Sequence, residues 1–229
     1  MLLLQIVTDT ATKIAAAVPA TPPPSINLLD MIMKGGWVMV PIGFLSVVSI
    51  FLIIERYLTI SKAAKVDTSF MNNIRSLLLD GKTDTALTMC RSTNSPIARM
   101  LEKGIKRLGH PIKDIESAVE DVGRLEIYKL EKNMAYLGII SGIAPMFGFV
   151  GTISGVIKIF YNISLADNIS IGLIAGGLYE KMVTSAAGLV VGIIAHIGFH
   201  LLNAMVDRVS YQIESTAVDF IDLIQEPTK

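Results

Sequence analysis

Three uncharged apolar runs punctuate the chain: Gly35 to Ile54 spans 20 residues, Asn133 to Ile157 spans 25, and Met182 to Val206 spans 25 interrupted only by His196 and His200. A helix rises about 1.5 Å per residue, so each run is long enough to cross the ~30 Å hydrocarbon layer. Between the first and second runs, Leu77, Leu78, Leu87, Met100, Leu101 and Ile105 supply the apolar faces of short amphipathic helices. Asp80-Gly81, Asn94-Ser95-Pro96 and Gly109-His110-Pro111 mark the turns between them. After Pro111, the positions Ile112, Ile115, Val119, Val122, Leu125 and Tyr128 recur at threes and fours. That period predicts a long helix continuing into the second span without a break, roughly 75 Å from Pro111 to Phe160. From Ile171 to about Ile224 there is neither proline nor a strong turn signal, so the third span also outlasts the bilayer.

Composition agrees with this pattern. The chain has 229 residues, 52% of them hydrophobic and 17% charged, with a mean hydropathy of +0.56, well outside the range of soluble domains. Net charge is zero, but 13 of the 20 Lys and Arg fall between Ser61 and Asn133, with ten acids. Lys13 and Lys34 alone precede the first span, and the loop 161–170 has no basic residue. The positive-inside rule therefore sets the N-terminus outside and the C-terminus in the cytoplasm. The expected segments are an outer N-terminal segment (1–34), a first span (35–60), a cytoplasmic helical region (61–132), a second span (133–160), a periplasmic loop (161–170), a third span (171–204) and a cytoplasmic C-terminal helix (205–229). Fold class is thus an all-α membrane protein: three transmembrane helices with long cytoplasmic helical extensions.

Other features narrow the function. Met1 to Val18 reads as an amphipathic helix on the outer membrane surface, followed by a stiff proline-rich linker from Pro19 to Pro24 and a short interfacial helix from Ser25 to Lys34. Trp37 marks the headgroup level, and Glu55-Arg56-Tyr57 closes the first span with a snorkelling side chain and an aromatic anchor. The basic residues of 61–133 are matched by acids, with only Phe70 and Tyr128 as aromatic rings of Phe, Tyr or Trp among them, so no nucleic-acid partner is expected. The lone Cys90 excludes an internal disulfide and a cysteine metal cluster, and reads as a small apolar residue on a helix face.

Glu180 lies inside a glycine-rich apolar segment, where a carboxylate is costly unless it has a task or a partner. Thr152 stands nine residues before Tyr161 and Glu180 nine after Ile171, so both lie about 14 Å below the outer membrane face. Thr184 is one turn beyond Glu180, and Ser185 is offset from that face by about 100°. One carboxylate and three hydroxyls thus share neighbouring depths. A protonated carboxyl suits a dry interior and an ionised one needs water or a cation, so alternation between the two makes a proton-driven switch. One charge crossing the membrane potential releases about 2.3 kcal/mol per 100 mV, enough to bias two packings that differ by a few kcal/mol. Glycines four apart at Gly138/Gly142, Gly151/Gly155 and Gly172/Gly176, with Gly148, Gly188 and Gly192, give small faces for close helix approach and assembly. His196 and His200 are one turn apart without a third ligand and read as interfacial or structural residues. No metal, cofactor, catalytic group or enzyme activity is expected.

Three ordered segments carry a resemblance to the proton-channel family of ExbB, TolQ and MotA, and its three-span ExbB/TolQ branch in particular. The run from Gly35-Gly36-Trp37 to Pro41-Ile42, continuing to Ile53-Ile54-Glu55-Arg56, resembles the family's first span. Ala144-Pro145-Met146-Phe147-Gly148-Phe149-Val150-Gly151-Thr152-Ile153-Ser154-Gly155 resembles the second. Leu178-Tyr179-Glu180-Lys181-Met182-Val183-Thr184-Ser185-Ala186-Ala187-Gly188-Leu189 resembles the third. The resemblance implies a pentamer enclosing a central pore and a dimer of single-span partners of the ExbD or TolR kind, whose membrane aspartate carries protons. It implies a place in a bacterial inner membrane, with the N-terminus periplasmic, and work across the periplasm through a TonB-like protein, or outer-membrane maintenance. It also assigns the ion pathway to Thr152, Glu180, Thr184 and Ser185, and structural roles in the pore helices to Pro145, Gly148, Gly151, Gly155 and Gly188. A stator-like motility subunit and a non-transporting scaffold are the competing readings. Two residues depart from the family pattern: Lys181 stands at a place usually small and apolar, and Ile194 where proline is frequent.

Overall fold

The computed structural model describes residues 36–64, 68–165 and 171–225. The expected interfacial helices at 1–18 and 25–34, and the proline-rich linker between them, lie outside the described residues, as do 166–170 of the expected periplasmic loop. Among the described residues seven helices follow one another: α1 (Met39–Ala63), α2 (Thr68–Leu79), α3 (Thr83–Ser92), α4 (Pro96–Ile105), α5 (Ile112–Glu131), α6 (Met134–Leu165) and α7 (Ile171–Gln225). The three spans lie on α1, α6 and α7, each long and apolar enough to cross a membrane. The remaining helices, with the last half of α7, form the helical extension beyond the bilayer.

Local sequence explains the breaks. Gly36, at φ +72°, turns the chain into α1, and its carbonyl accepts from the Met39 amide. Pro41 follows in the first turn, where its missing N–H is not needed. Gly81 (φ +73°) separates α2 from α3, and Gly109 (φ +94°) separates α4 from α5. Ser95 caps α4, its hydroxyl accepting from the Ala98 amide at 3.1 Å, with Pro96 opening the helix.

One expectation fails. The helix after Pro111 does not continue unbroken into the second span: α5 ends at Glu131, and Asn133 adopts φ +67° before α6 begins at Met134. Asparagine is one of the few side-chain-bearing residues that enter the left-handed region readily, so the chain turns there without glycine or proline. The third span does continue: α7 is a single helix of 55 residues.

Within the membrane α6 and α7 pack most extensively, and α1 lies across both. Glycine lets α6 and α7 approach. A Cβ on Gly188 would come within 2.6 Å of the Ala144 carbonyl, and one on Gly148 within 3.0 Å of the Ser185 carbonyl. A Cβ on Gly198 would meet the Ile53 side chain of α1 at 2.6 Å. Outside the membrane the seam continues along α7 through Leu202, Val206, Val209, Ile213 and Phe220, all buried at threes, fours and sevens. Met100, Leu101 and Ile105 of α4 and Ile115 and Val119 of α5 complete this core. Gly104 lies directly under the Phe220 ring, which a Cβ there would meet at 2.4 Å.

Candidate ion pathway

Thr152 sits on α6, half-buried, with its hydroxyl 3.1 Å from the Lys181 carbonyl of α7 and 3.2 Å from the Gly148 carbonyl of its own helix. A hydroxyl has one proton, so it divides or alternates its donation between the two. The first bond is interhelical and sets Thr152 level with the turn of α7 that holds residues 180 and 181.

Glu180 has a described helical backbone one turn before Thr184, while its side chain lies outside the described atoms. Thr184 is 0% exposed. Its methyl carbon lies where a Cβ on Gly151 would come within 2.9 Å, and Val38, at the N-cap of α1, closes the same spot. Thr184 therefore points into the packing of α1, α6 and α7 within one subunit. Ser185 is half-buried, and its backbone rests on Gly148. The hydroxyls thus divide: Thr184 is enclosed among three helices, whereas Thr152 and Ser185 keep partial exposure beside the α6–α7 seam.

Pro145, inside α6, leaves the Ser141 carbonyl without its usual amide donor. Gly192 of α7 faces this point: a Cβ there would come within 2.5 Å of the Pro145 ring and 3.1 Å of the Ser141 oxygen. The Ser141 hydroxyl donates back to the Gly138 carbonyl at 2.7 Å. Proline and glycine thus complement each other across the interface.

The glycine at 155 has a separate partner. A Cβ there would overlap the Lys181 stem, at 2.0 Å from Cγ and 2.3 Å from Cδ, and the Lys181 Nζ reaches to 3.7 Å from where a Cβ on Gly36 would stand. Lys181 therefore lays its methylenes across α6 and carries its ammonium to Gly36 at the N-terminal end of α1, as a snorkelling cation does. Of the glycines read as assembly faces, Gly148, Gly151, Gly155 and Gly188 are buried inside the subunit, whereas Gly142 and Gly176 face open space.

At the other end of α1, Arg56 is 6% exposed. It donates to Glu55 and to the Lys129 carbonyl of α5, at 3.4 Å for the latter. The guanidinium is drawn between α1 and α5, where a main-chain acceptor is available, and does not reach to solvent. Glu126, 3% exposed, accepts from Arg99 at 2.5 Å and Lys129 at 2.7 Å. Burial alone raises its pKa, but these two cations outweigh that and hold it below the ordinary carboxylate value. Sequence reasoning missed this trio; its signal was an acid at an inward position of the α5 period. Cys90 is buried, and desolvation, with Glu102 nearby, pushes its thiol up to about 11, so it is an inert packing residue. The His196 and His200 rings meet edge to face at 4.4 Å, and both residues are exposed.

Three helices long and apolar enough to cross a membrane, packed along an α6–α7 seam that carries Thr152, Thr184 and Ser185, define an all-α membrane protein. The chain matches the model of the MotA/TolQ/ExbB proton channel family over residues 92–215 and belongs to that family. It is 27% identical over 183 residues to a putative biopolymer transport protein ExbB-like 1 of a Synechocystis strain, covering 78% of this chain and 72% of that one. Against the biopolymer transport protein ExbB of Neisseria meningitidis serogroup A it is 22% identical over 204 residues, 83% and 90% of the two chains. Against the Tol-Pal system protein TolQ of Haemophilus influenzae it is 25% identical over 214 residues, 86% and 91%. The chain therefore has the general role of an ExbB/TolQ-type proton-channel component of an energy-transducing inner-membrane complex, and it is not an enzyme.

Proposed function

We propose that five copies of this chain surround a central pore that holds a dimer of single-span ExbD/TolR-like partners. Proton motive force moves protons between the partner's membrane aspartate and the α6–α7 seam, driving work across the periplasm through a TonB-like protein or in envelope maintenance. The charge distribution supports an orientation with the N-terminus periplasmic and α2–α5 cytoplasmic. The observation that carries the reading is the Thr152–Lys181 hydrogen bond, because it sets the α6 hydroxyl beside the α7 turn that bears Glu180. Glu180, Thr152 and Ser185 then serve the pathway directly. Thr184 acts from behind them, holding α7 against α1 and α6.

The test is Glu180→Gln in the complex reconstituted into liposomes with its single-span partner. Proton flux and energy-dependent work should be lost while the assembled complex keeps its mass by native mass spectrometry. Normal flux through the glutamine variant would defeat the assignment. Flux without the partner should be low.

A further inference from the structure

A cavity of about 240 Å³ opens where two of the spans leave the bilayer, lined by Thr59 and Lys62 at the end of α1, Asn94 and Arg99 around the start of α4, and Glu126 and Lys129 near the end of α5. Three of these six side chains are cations and one is an anion. Glu126 takes one proton donor from each of Arg99 and Lys129, and Asn94 accepts from Arg99 Nη1 at 2.8 Å. The ammonium of Lys129 has further donors beyond the one Glu126 uses. The Arg99 Nε is buried without a hydrogen-bond partner among the described residues. Lys62 stands exposed at the rim. The balance is a cavity with surplus positive charge and surplus N–H donors, and its one carboxylate is already committed.

Position selects the ligand. Lys129 lies five residues before Met134, where α6 starts into the membrane, and Lys62 stands in the last turn of α1. The cavity therefore lies at headgroup depth on the α2–α5 side. We infer that it is a binding site for the phosphate of an anionic phospholipid headgroup, gripped by Lys62, Arg99 and Lys129. Basic pockets between membrane helices recognise such headgroups by charge and N–H donation. A lipid held there would tie the end of α1 to α4 and α5. The inference depends only on the three spans crossing a bilayer, and stands apart from the ion pathway.

The test is native mass spectrometry of the full chain in a neutral detergent, titrated with phosphatidylglycerol, phosphatidylcholine or inorganic phosphate. Phosphatidylglycerol should bind in preference to phosphatidylcholine, and Lys62→Gln should weaken it about fivefold, the effect of one cation beside an anionic surface. The double variant Arg99→Gln/Glu126→Gln, which removes opposite charges together, should weaken it similarly; if it fails to fold, Lys62→Gln decides. Displacement of the lipid by millimolar inorganic phosphate supports the phosphate as the recognised group. Equal binding of the two lipids, or an unchanged Lys62→Gln variant, overturns the site. Binding of inorganic phosphate without lipid preference overturns the lipid as its ligand.

Discussion

The hydroxyl of Thr152 and the main-chain carbonyl of Lys181 lie 3.1 Å apart, joining α6 to α7 level with the N-terminal end of α1. Interhelical hydrogen bonds in membranes contribute about 0.6 kcal/mol on average. Thr152→Val should therefore lower stability in detergent by about that amount, and Thr152→Ser should restore it. Thermal unfolding of the two variants checks this: a valine variant that melts with wild type would show that the bond holds nothing. In the partner complex, the valine variant should also lose far more proton-coupled activity than its small stability loss explains.

Glycine substitutions should rank by what they strike. At Gly188 an added methyl meets the Ala144 carbonyl and the Gly148 backbone, neither of which can step aside. At Gly155 it meets only the flexible Lys181 stem. Gly188→Ala should cost about 1–3 kcal/mol, and Gly155→Ala less. Pairing Gly155→Ala with Lys181→Ala should recover most of the smaller loss. Equal melting temperatures for the two single alanine variants would contradict this ordering.

The turn at Asn133 makes its own demand. At φ +67° a β-branched residue is strained, so Asn133→Val should destabilise by about 1–2 kcal/mol whereas Asn133→Gly should be close to neutral. Circular dichroism melts of both variants test whether the break between α5 and α6 is fixed in the native state.

Acid should loosen the helical extension through Glu126. Its pKa is held below the ordinary glutamate value in the folded chain by Arg99 and Lys129, so its unfolded form binds protons first as pH falls. Its contribution to stability is therefore complete above the unfolded value of about 4.3 and disappears as pH drops through the lower folded value. Melting temperature should be insensitive to this group between neutral pH and about pH 5, then fall in more acid solution. Glu126→Gln should be less stable at neutral pH and show a shallower acid decline; an unchanged decline would assign the effect to other carboxylates.

The spans were readable because a bilayer tolerates so few sequences: Gly35–Ile54 and its two counterparts have no other place to go. The turns at Gly81, Ser95-Pro96 and Gly109 were readable for the same kind of reason, since glycine, proline and a capping hydroxyl are strong local signals. Asn133 was not, because asparagine enters the left-handed region without requiring it and the apolar period runs straight past it. Among the site residues, the shared depth of Thr152, Thr184 and Ser185 followed from counting residues inward from one membrane face. Their rotation did not: sequence spacing gives the angle between Thr184 and Ser185, but only packing on Val38 and Gly151 turns the first inward. Likewise, glycine spacing signals close approach without naming the neighbour, and here Gly148, Gly151, Gly155 and Gly188 spend theirs inside the subunit.

Helix α7 runs from Ile171 to Gln225 without a joint, in contrast to the interrupted α5–α6 pair. From Thr184 to its far end is roughly 60 Å. A tilt of about 5° at the buried threonine would sweep the tip sideways by roughly 5 Å over that rigid length. Any event that re-seats this one rod in the bilayer is thereby felt, magnified, among Met100, Leu101 and Ile105, while the chain on the other side of Asn133 has a hinge with which to yield.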